Sequence, residues 1–277
     1  MTPTAARDLE LICPAGTPAA LRVAVDAGAH AVYCGFQDET NARNFPGLNF
    51  SRSDMAAAVG YAHQRGCKVF ITVNTFPRAG AAELWKRAID DAAALAADAV
   101  IVADIGLLSY AASRHPDLRL CVQAEGRGSL SSYATGQSPN MHGDCSPPSH
   151  VTYREANGAF ISRLGNFTIN RIPATQPAAY PTLCKGAFRA KSMTGHIFED
   201  AVSLDASTLL PALSRAGVKA LKIEGRQRSR AYTRTVVASF RAALDAMARG
   251  TEIPLGVLVQ LSEGQSATCG AYLKTWR

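Results

Sequence analysis

The sequence predicts an α/β protein with a TIM-barrel-like parallel (β/α) core. Three observations lead there. Short apolar runs alternate with Ala-rich amphipathic runs as far as Val122. The apolar runs are continuous rather than alternating, as in strands buried on both faces of a parallel sheet. The strand-to-strand spacing of roughly 20–35 residues suits right-handed crossover units.

The elements follow in order. Leu9 to Cys13 reads as the first strand, closed by Pro14-Ala15-Gly16. Thr17 to Gly28 reads as a helix with Pro18 at its first position, where a missing N–H is harmless. Ala31 to Cys34 is the second strand. Ser51 caps a helix that runs to about Arg65 and stops at Gly66. Lys68 to Val73, Ala99 to Ala103 and Leu118 to Val122 are strands, with helices over Ala81 to Ala97 and Ile105 to Arg114. Then the rhythm breaks. Residues 125–150 are rich in Gly, Ser and Pro, and residues 151–172 read as two strands with a turn near Asn157-Gly158. The pattern returns with a helix over Asp205 to Ala216, a strand over Val218 to Ile223 and a long helix over Ser229 to Arg249. Five strands precede the break and one clear strand follows it, so the eight units of a full barrel are not all present.

Composition narrows the class. The chain has 277 residues, 47% hydrophobic and 18% charged, enough to bury a sizeable core. No apolar stretch has the length of a membrane span, and the N-terminus has no apolar signal core. The cysteines number seven, an odd count in a chain too long to need staples, so reduced thiols in a cytoplasmic protein are expected. A net charge of +7 favours anionic partners without choosing among them.

Parallel α/β folds place their sites at the carboxyl ends of strands. Those ends read Pro14-Ala15-Gly16, Gly35-Phe36-Gln37-Asp38, Asn74-Thr75-Phe76, Asp104, Gln123 and Glu224-Gly225-Arg226. Glu224 is a candidate proton-transfer group and Arg226 a candidate carboxylate clamp, against a structural ion pair at the rim. Asn41 and Arg43, in the long loop Asn41 to Phe50, are candidate substrate-binding residues, against loop-ordering hydrogen bonds. Asn74 and Gln123 are further pocket candidates. Asp104 reads as a helix cap. Lys222, Arg226, Arg228, Arg230 and Arg234 form a basic cluster for RNA phosphates or an acidic partner, or else a solvated face. His63 and His115 read as surface or capping residues. Neither a Gly-rich phosphate loop nor an HExxH motif is present.

At several of these positions the chain resembles a known family. Glu10-Leu11-Ile12-Cys13-Pro14-Ala15-Gly16, Asn41-Ala42-Arg43 with Gly47-Leu48-Asn49-Phe50, and Val73-Asn74-Thr75-Phe76 carry the resemblance in the first half. Glu125-Gly126-Arg127 with Leu130-Ser131-Ser132-Tyr133, Tyr180-Pro181-Thr182-Leu183-Cys184-Lys185-Gly186 and Lys222 to Ser229 carry it in the second. Together they resemble peptidase family U32, the collagenase-like group. Ser262-Glu263-Gly264 and Gly270 to Trp276 are similar to its ubiquinone-biosynthesis (UbiU-like) branch. That resemblance implies a single domain over 1–277: βα repeats at 9–124, a cysteine-bearing loop and hairpin region at 125–200, and a C-terminal βα part at 201–277. It implies oxygen-independent hydroxylation of a prenylated aromatic ubiquinone precursor, with a UbiV-like sister subunit in a heterodimer. Prephenate is the implied oxygen donor, and nucleic acid is not the expected partner. Related members hydroxylate ribosomal or transfer RNA, which is the alternative, and a non-catalytic degenerate copy is another.

Two βα units of the family pattern are missing where Val122-Gln123-Ala124 runs directly into Glu125-Gly126-Arg127, about 50 residues by the size of such units. The resemblance also implies a 4Fe-4S cluster held by four Cys, since thiolates suit iron–sulfur iron. Cys145 and Cys184 match two of its ligands, Cys121 falls ambiguously on a third, and Gly128 stands where relatives carry the fourth. Cys13, Cys34 and Cys67 read as core packing instead.

Overall fold

A computed structural model describes residues 9–122, 151–173, 175–176, 187–190, 193–196, 203–226, 228–254 and 267–268. Its centre is a six-stranded, all-parallel sheet. The first five strands are β1 (Glu10–Pro14), β2 (Ala31–Gly35), β3 (Lys68–Val73), β4 (Ala99–Val102) and β5 (Arg119–Val122). Each pairs with the next, and β12 (Ala220–Lys222) pairs with β1 on its other side. This order winds one way without a reversal. A doubly wound sheet switches direction at its centre, whereas a barrel sets its last stave beside its first. The sheet is therefore an arc of a barrel, a curled half-barrel of six staves, as the strand pattern predicts.

Helices cover one face of that arc: α1 (Pro18–Asp26), α2 (Arg52–His63), α3 (Ala82–Ala94), α4 (Ile105–Arg114) and α6 (Arg230–Arg249). A short α5 (Leu210–Arg215) precedes β12. Their starts are set locally. Thr17, Ser51, Asp104 and Ser229 each accept a backbone N–H three residues on, and Pro18 sits in the first turn of α1. Alternate strand residues split between two cores. Leu11, Cys13, Val32, Cys34, Val69, Ile71, Val100 and Val102 pack against the helices. Ala31, Tyr33, Phe70 and Ala99 form a separate cluster of strand residues on the opposite, inner face.

A second sheet is antiparallel: β6 (Val151–Ala156), β7 (Ala159–Leu164) and β8 (Phe167–Pro173). Asn157 and Gly158 turn the first hairpin with positive φ, as predicted. The third strand was not expected; Gly165, at φ 56, turns the chain a second time. This sheet docks on the loop after β2. Phe45, Leu48, Val151, Tyr153 and Phe160 form one buried cluster. Tyr153 donates its N–H to Pro46 at 2.8 Å. Gly47 is obligatory there, because a Cβ would stand 1.6 Å from the Tyr153 carbonyl oxygen and φ is +83°. Two pairs of short strands, β9 (Ala187–Ala190) with β10 (Met193–His196) and β11 (Ser203–Leu204) with β13 (Ala267–Thr268), and a single 3-10 turn at Ser207–Leu209 complete the described elements.

Candidate active site at the strand ends

Because β12, β1 and β2 are neighbours, the loops that leave their carboxyl ends converge. Arg226 stands at the centre. Its side chain is buried, 6% exposed, and it reaches both ends of the β2 loop. Nη1 donates to Asn41 Oδ1 at 3.0 Å and Nη2 to Asn49 Oδ1 at 2.6 Å. Asn49 adopts φ 74, a left-handed conformation that Asn tolerates. It also donates its Nδ2 to the Arg43 carbonyl at 2.7 Å and its backbone N–H to the Gly16 carbonyl at 2.6 Å. Gly16 lets the Arg226 backbone pass: a Cβ there would lie 2.0 Å from the Arg226 oxygen. Three loops are thus knitted around one guanidinium. Burial first, and then the neighbouring Arg43, lowers Arg226 to about 10.

Glu224 lies beside it with its side chain 46% exposed. Lys222 Nζ sits 3.0 Å from Oε1, and the Tyr33 hydroxyl donates to Oε2 at 3.2 Å and to the Ile223 carbonyl at 2.9 Å. Burial raises the Glu224 carboxyl, but Lys222, Arg43 and the Tyr33 hydroxyl outweigh it and hold it below its ordinary value. Burial and the adjacent Glu224 push Tyr33 well above the phenol range. The pair at neutral pH is therefore carboxylate and phenol, a fixed negative charge facing solvent.

The structure brings Asn41, Arg43, Glu224 and Arg226 together, as their strand-end positions suggest. The other candidates have different surroundings. Asn74 orders the loop, its Oδ1 accepting the Ala42 N–H at 3.0 Å. Gln123 lies outside the described residues. The basic cluster does not form one face. Arg226 and Arg228 are buried, Arg228 stacks on the Tyr232 ring at 3.9 Å, Arg230 pairs with Glu155 at 2.9 Å, and Lys222 is held by Glu224. Of the five, only Lys222 and Arg234 are exposed, and Lys222 is the one paired with a carboxylate at the rim. His63 and His115 pair with Asp98 and Asp90, and Asp104 caps α4. Sequence reasoning missed Tyr33 and Asn49. Tyr33 reads as one more apolar strand residue, and only its inward alternation, opposite to Val32 and Cys34, marks it.

Cys145, Cys184 and Gly128 also lie outside the described residues. Cys121 is half-buried on β5, beside Ile12 and Ile101 on the inner face. Among the described residues, no group of three or more His, Cys, Asp or Glu is placed to hold a metal ion. Cys13, Cys34 and Cys67 are buried core thiols, as expected.

A model of Peptidase family U32 matches residues 16–120 and 119–268. The chain belongs to that family. The two matched segments meet at Arg119 and Leu120, close to the junction where two βα units are absent. Among relatives, a 23S rRNA 5-hydroxycytidine synthase of Escherichia coli is 28% identical over 294 residues, taking in 86% of this chain and 40% of its own. A collagenase of Porphyromonas gingivalis is 25% identical over 88% of this chain and 67% of its own. A tRNA hydroxylation protein P of Escherichia coli is 24% identical over 91% of this chain and 71% of its own. The synthase alignment, at 294 residues, is longer than this 277-residue chain, so that relative holds residues this chain skips. This chain spans well under half of the synthase's length.

These relatives overturn the expected ubiquinone role, and with it the prenylated ring and the UbiV-like subunit. Proteins that match this chain nearly end to end are named for hydroxylation of rRNA and tRNA. The physical reason is visible at the rim. The motifs that prompted the resemblance, Pro14 to Gly16, Asn41 to Phe50 and Glu224 to Ser229, are those that knit the loops. They define the scaffold and leave the substrate open. No helix among the described residues is long and apolar enough to cross a membrane.

Proposed function

We propose that this chain takes part in hydroxylating RNA, with the base presented at the rim formed by the loops after β12, β1 and β2. One observation carries the reading: RNA-hydroxylation proteins align along 86–91% of the chain, and the family model takes in the rim residues. The net charge of +7 suits a polyanionic substrate. In this reading Glu224 is the proton acceptor. Lys222 and Tyr33 hold its carboxylate ionised and in one orientation, while its other side stays open to an incoming base. Arg226, with Asn41 and Asn49, keeps the three loops in register around that carboxylate.

The test is nucleoside mass spectrometry of digested rRNA and tRNA from cells with and without the gene, complemented by wild type or Glu224→Gln. The expected result is one hydroxylated nucleoside that disappears with the gene and returns with wild type only. Unchanged hydroxylated nucleosides in both RNA pools would overturn the proposal.

A further inference from the structure

Four large apolar side chains stand exposed among the described residues, and three of them gather at one end of the parallel sheet. Phe76, 43% exposed, follows β3; Ile105, 83% exposed, opens α4 just after β4; Val122, 61% exposed, ends β5. These strands are consecutive neighbours, and the end is the carboxyl one that also carries Glu224. Single apolar side chains on a surface are ordinary, but a row of them beside a candidate site is not. Phe76 also stands on a rigid stem. Asn74 donates its backbone N–H to the Thr40 carbonyl at 2.9 Å. Thr75 is buried, donates its hydroxyl to the Glu39 carbonyl and accepts the Trp85 indole N–H at 2.8 Å. The ring is therefore held out on fixed backbone and forgoes the stabilisation that burial would give it. Among the described residues, no second ring and no cation packs on it. Two residues on, Arg78 is exposed and makes no ion pair among the described residues. The acid at the end of β4, Asp104, is turned into α4, where it accepts the Leu107 N–H at 2.9 Å.

We propose that Phe76 is a stacking platform for a second, unpaired nucleobase of the RNA substrate, with Arg78 against an adjoining phosphate. Three features select that occupant. A base drawn out of its helix leaves neighbours with an uncovered face, and aromatic side chains take such faces in single-stranded RNA. A phenylalanine ring has no polar atom, so it accepts any base and chooses none. An exposed ring beside an unpaired arginine suits a strand of alternating bases and phosphates. An apolar protein surface would instead bury that charge without a counter-ion. Neighbouring strands lie about 4.8 Å apart, so the ends of β3 and β12, three steps apart, are about 14 Å from each other along the sheet. One base cannot fill both places, whereas two nucleotides of one strand can. The inference rests on RNA being the substrate and adds the part that is bound without being altered.

The test measures binding by the full chain rather than product, so it can fail while the nucleoside assay succeeds. Anisotropy is read on fluorescein-labelled oligoadenylate, alone and paired with oligouridylate. Wild type is expected to prefer the single strand. Phe76→Ala should weaken single-strand binding about tenfold, the loss of one stacked base. Phe76→Leu, apolar but without a ring, should lose as much. Both should keep the wild-type salt slope, whereas Arg78→Gln should lower that slope by about one. Phe76→Trp should retain affinity, and oligoadenylate but not the duplex should quench its added indole emission. Equal single-strand affinity in wild type, Phe76→Ala and Phe76→Leu would overturn the proposal, as would absence of wild-type binding at low salt. So would sedimentation in which Phe76→Ala disperses a self-associated chain while RNA binding stays unchanged, since the row would then belong to a second copy.

Discussion

Gly16 has no side chain because the Arg226 backbone occupies the place of one. Gly16→Ala forces a Cβ onto a carbonyl oxygen 2.0 Å away, and backbone yields less readily than the end of a side chain. We expect a loss of about 1–3 kcal/mol from overpacking, read by urea unfolding. The buried thiols allow a second prediction. Burial pushes Cys34 and Cys67 up to about 12 from an ordinary 9.0. Each contributes stability in full below pH 9, where folded and unfolded thiols are both protonated. That contribution falls as pH rises from 9 toward 12, because the unfolded thiols ionise first. Iodoacetamide at pH 8 should therefore leave Cys13, Cys34 and Cys67 unmodified in native protein and label them in urea, as peptide mass spectrometry will report. At this scale the sequence spoke through chemistry at strand ends. Glu224 and Arg226 were legible because charged residues directly follow an apolar strand. Asn49 was not, because its role depends on a left-handed backbone and a partner 177 residues away.

Among the elements, the loop between β2 and α2 has two faces with different work. Asn41 and Asn49 turn toward Arg226, while Phe45 and Leu48 are buried against β6 and β7. Phe45 stands 6.0 Å from the Tyr153 ring, centroid to centroid. Phe45→Ala should cost about 3–5 kcal/mol, the range for a buried aromatic cut to alanine. Hydrogen exchange should then quicken over both Asn41–Phe50 and Val151–Leu164, since each covers the other. Faster exchange in the loop alone would mean that the antiparallel sheet stands without it. The Arg230–Glu155 pair, about one-third exposed on each side, adds well under 1 kcal/mol to this docking. Strands were readable here because Val32, Val69 and Val100 belong to continuous buried runs. The third antiparallel strand was not, since Phe167 is 79% exposed and presents no apolar stripe.

At the scale of the molecule, the described parallel sheet is an arc with two ends. Strand β5 closes one end, and no described strand pairs with its outer side. Val122, at its tip, is 61% exposed. Such an edge is a template for pairing with another chain, and a lysine there blunts it. Val122→Lys should change stability by no more than about 0.5 kcal/mol and lower any concentration-dependent association seen by sedimentation. Self-association unchanged by the lysine would place the contact elsewhere. The shortened barrel was legible from counting strands, because each stave is one apolar run. The substrate was not, because scaffold and specificity sit in different residues of the same rim.

The Arg226 bonds to Asn41 and Asn49 span 185 and 177 residues of chain. Five parallel staves and both asparagines emerge during synthesis long before the arginine that joins them. A growing chain can therefore assemble most of its sheet from near neighbours, while its rim waits for the last stave. The partly made protein holds Asn41 and Asn49 with nothing to gather them. The rim closes only when the two distant parts of the chain have met.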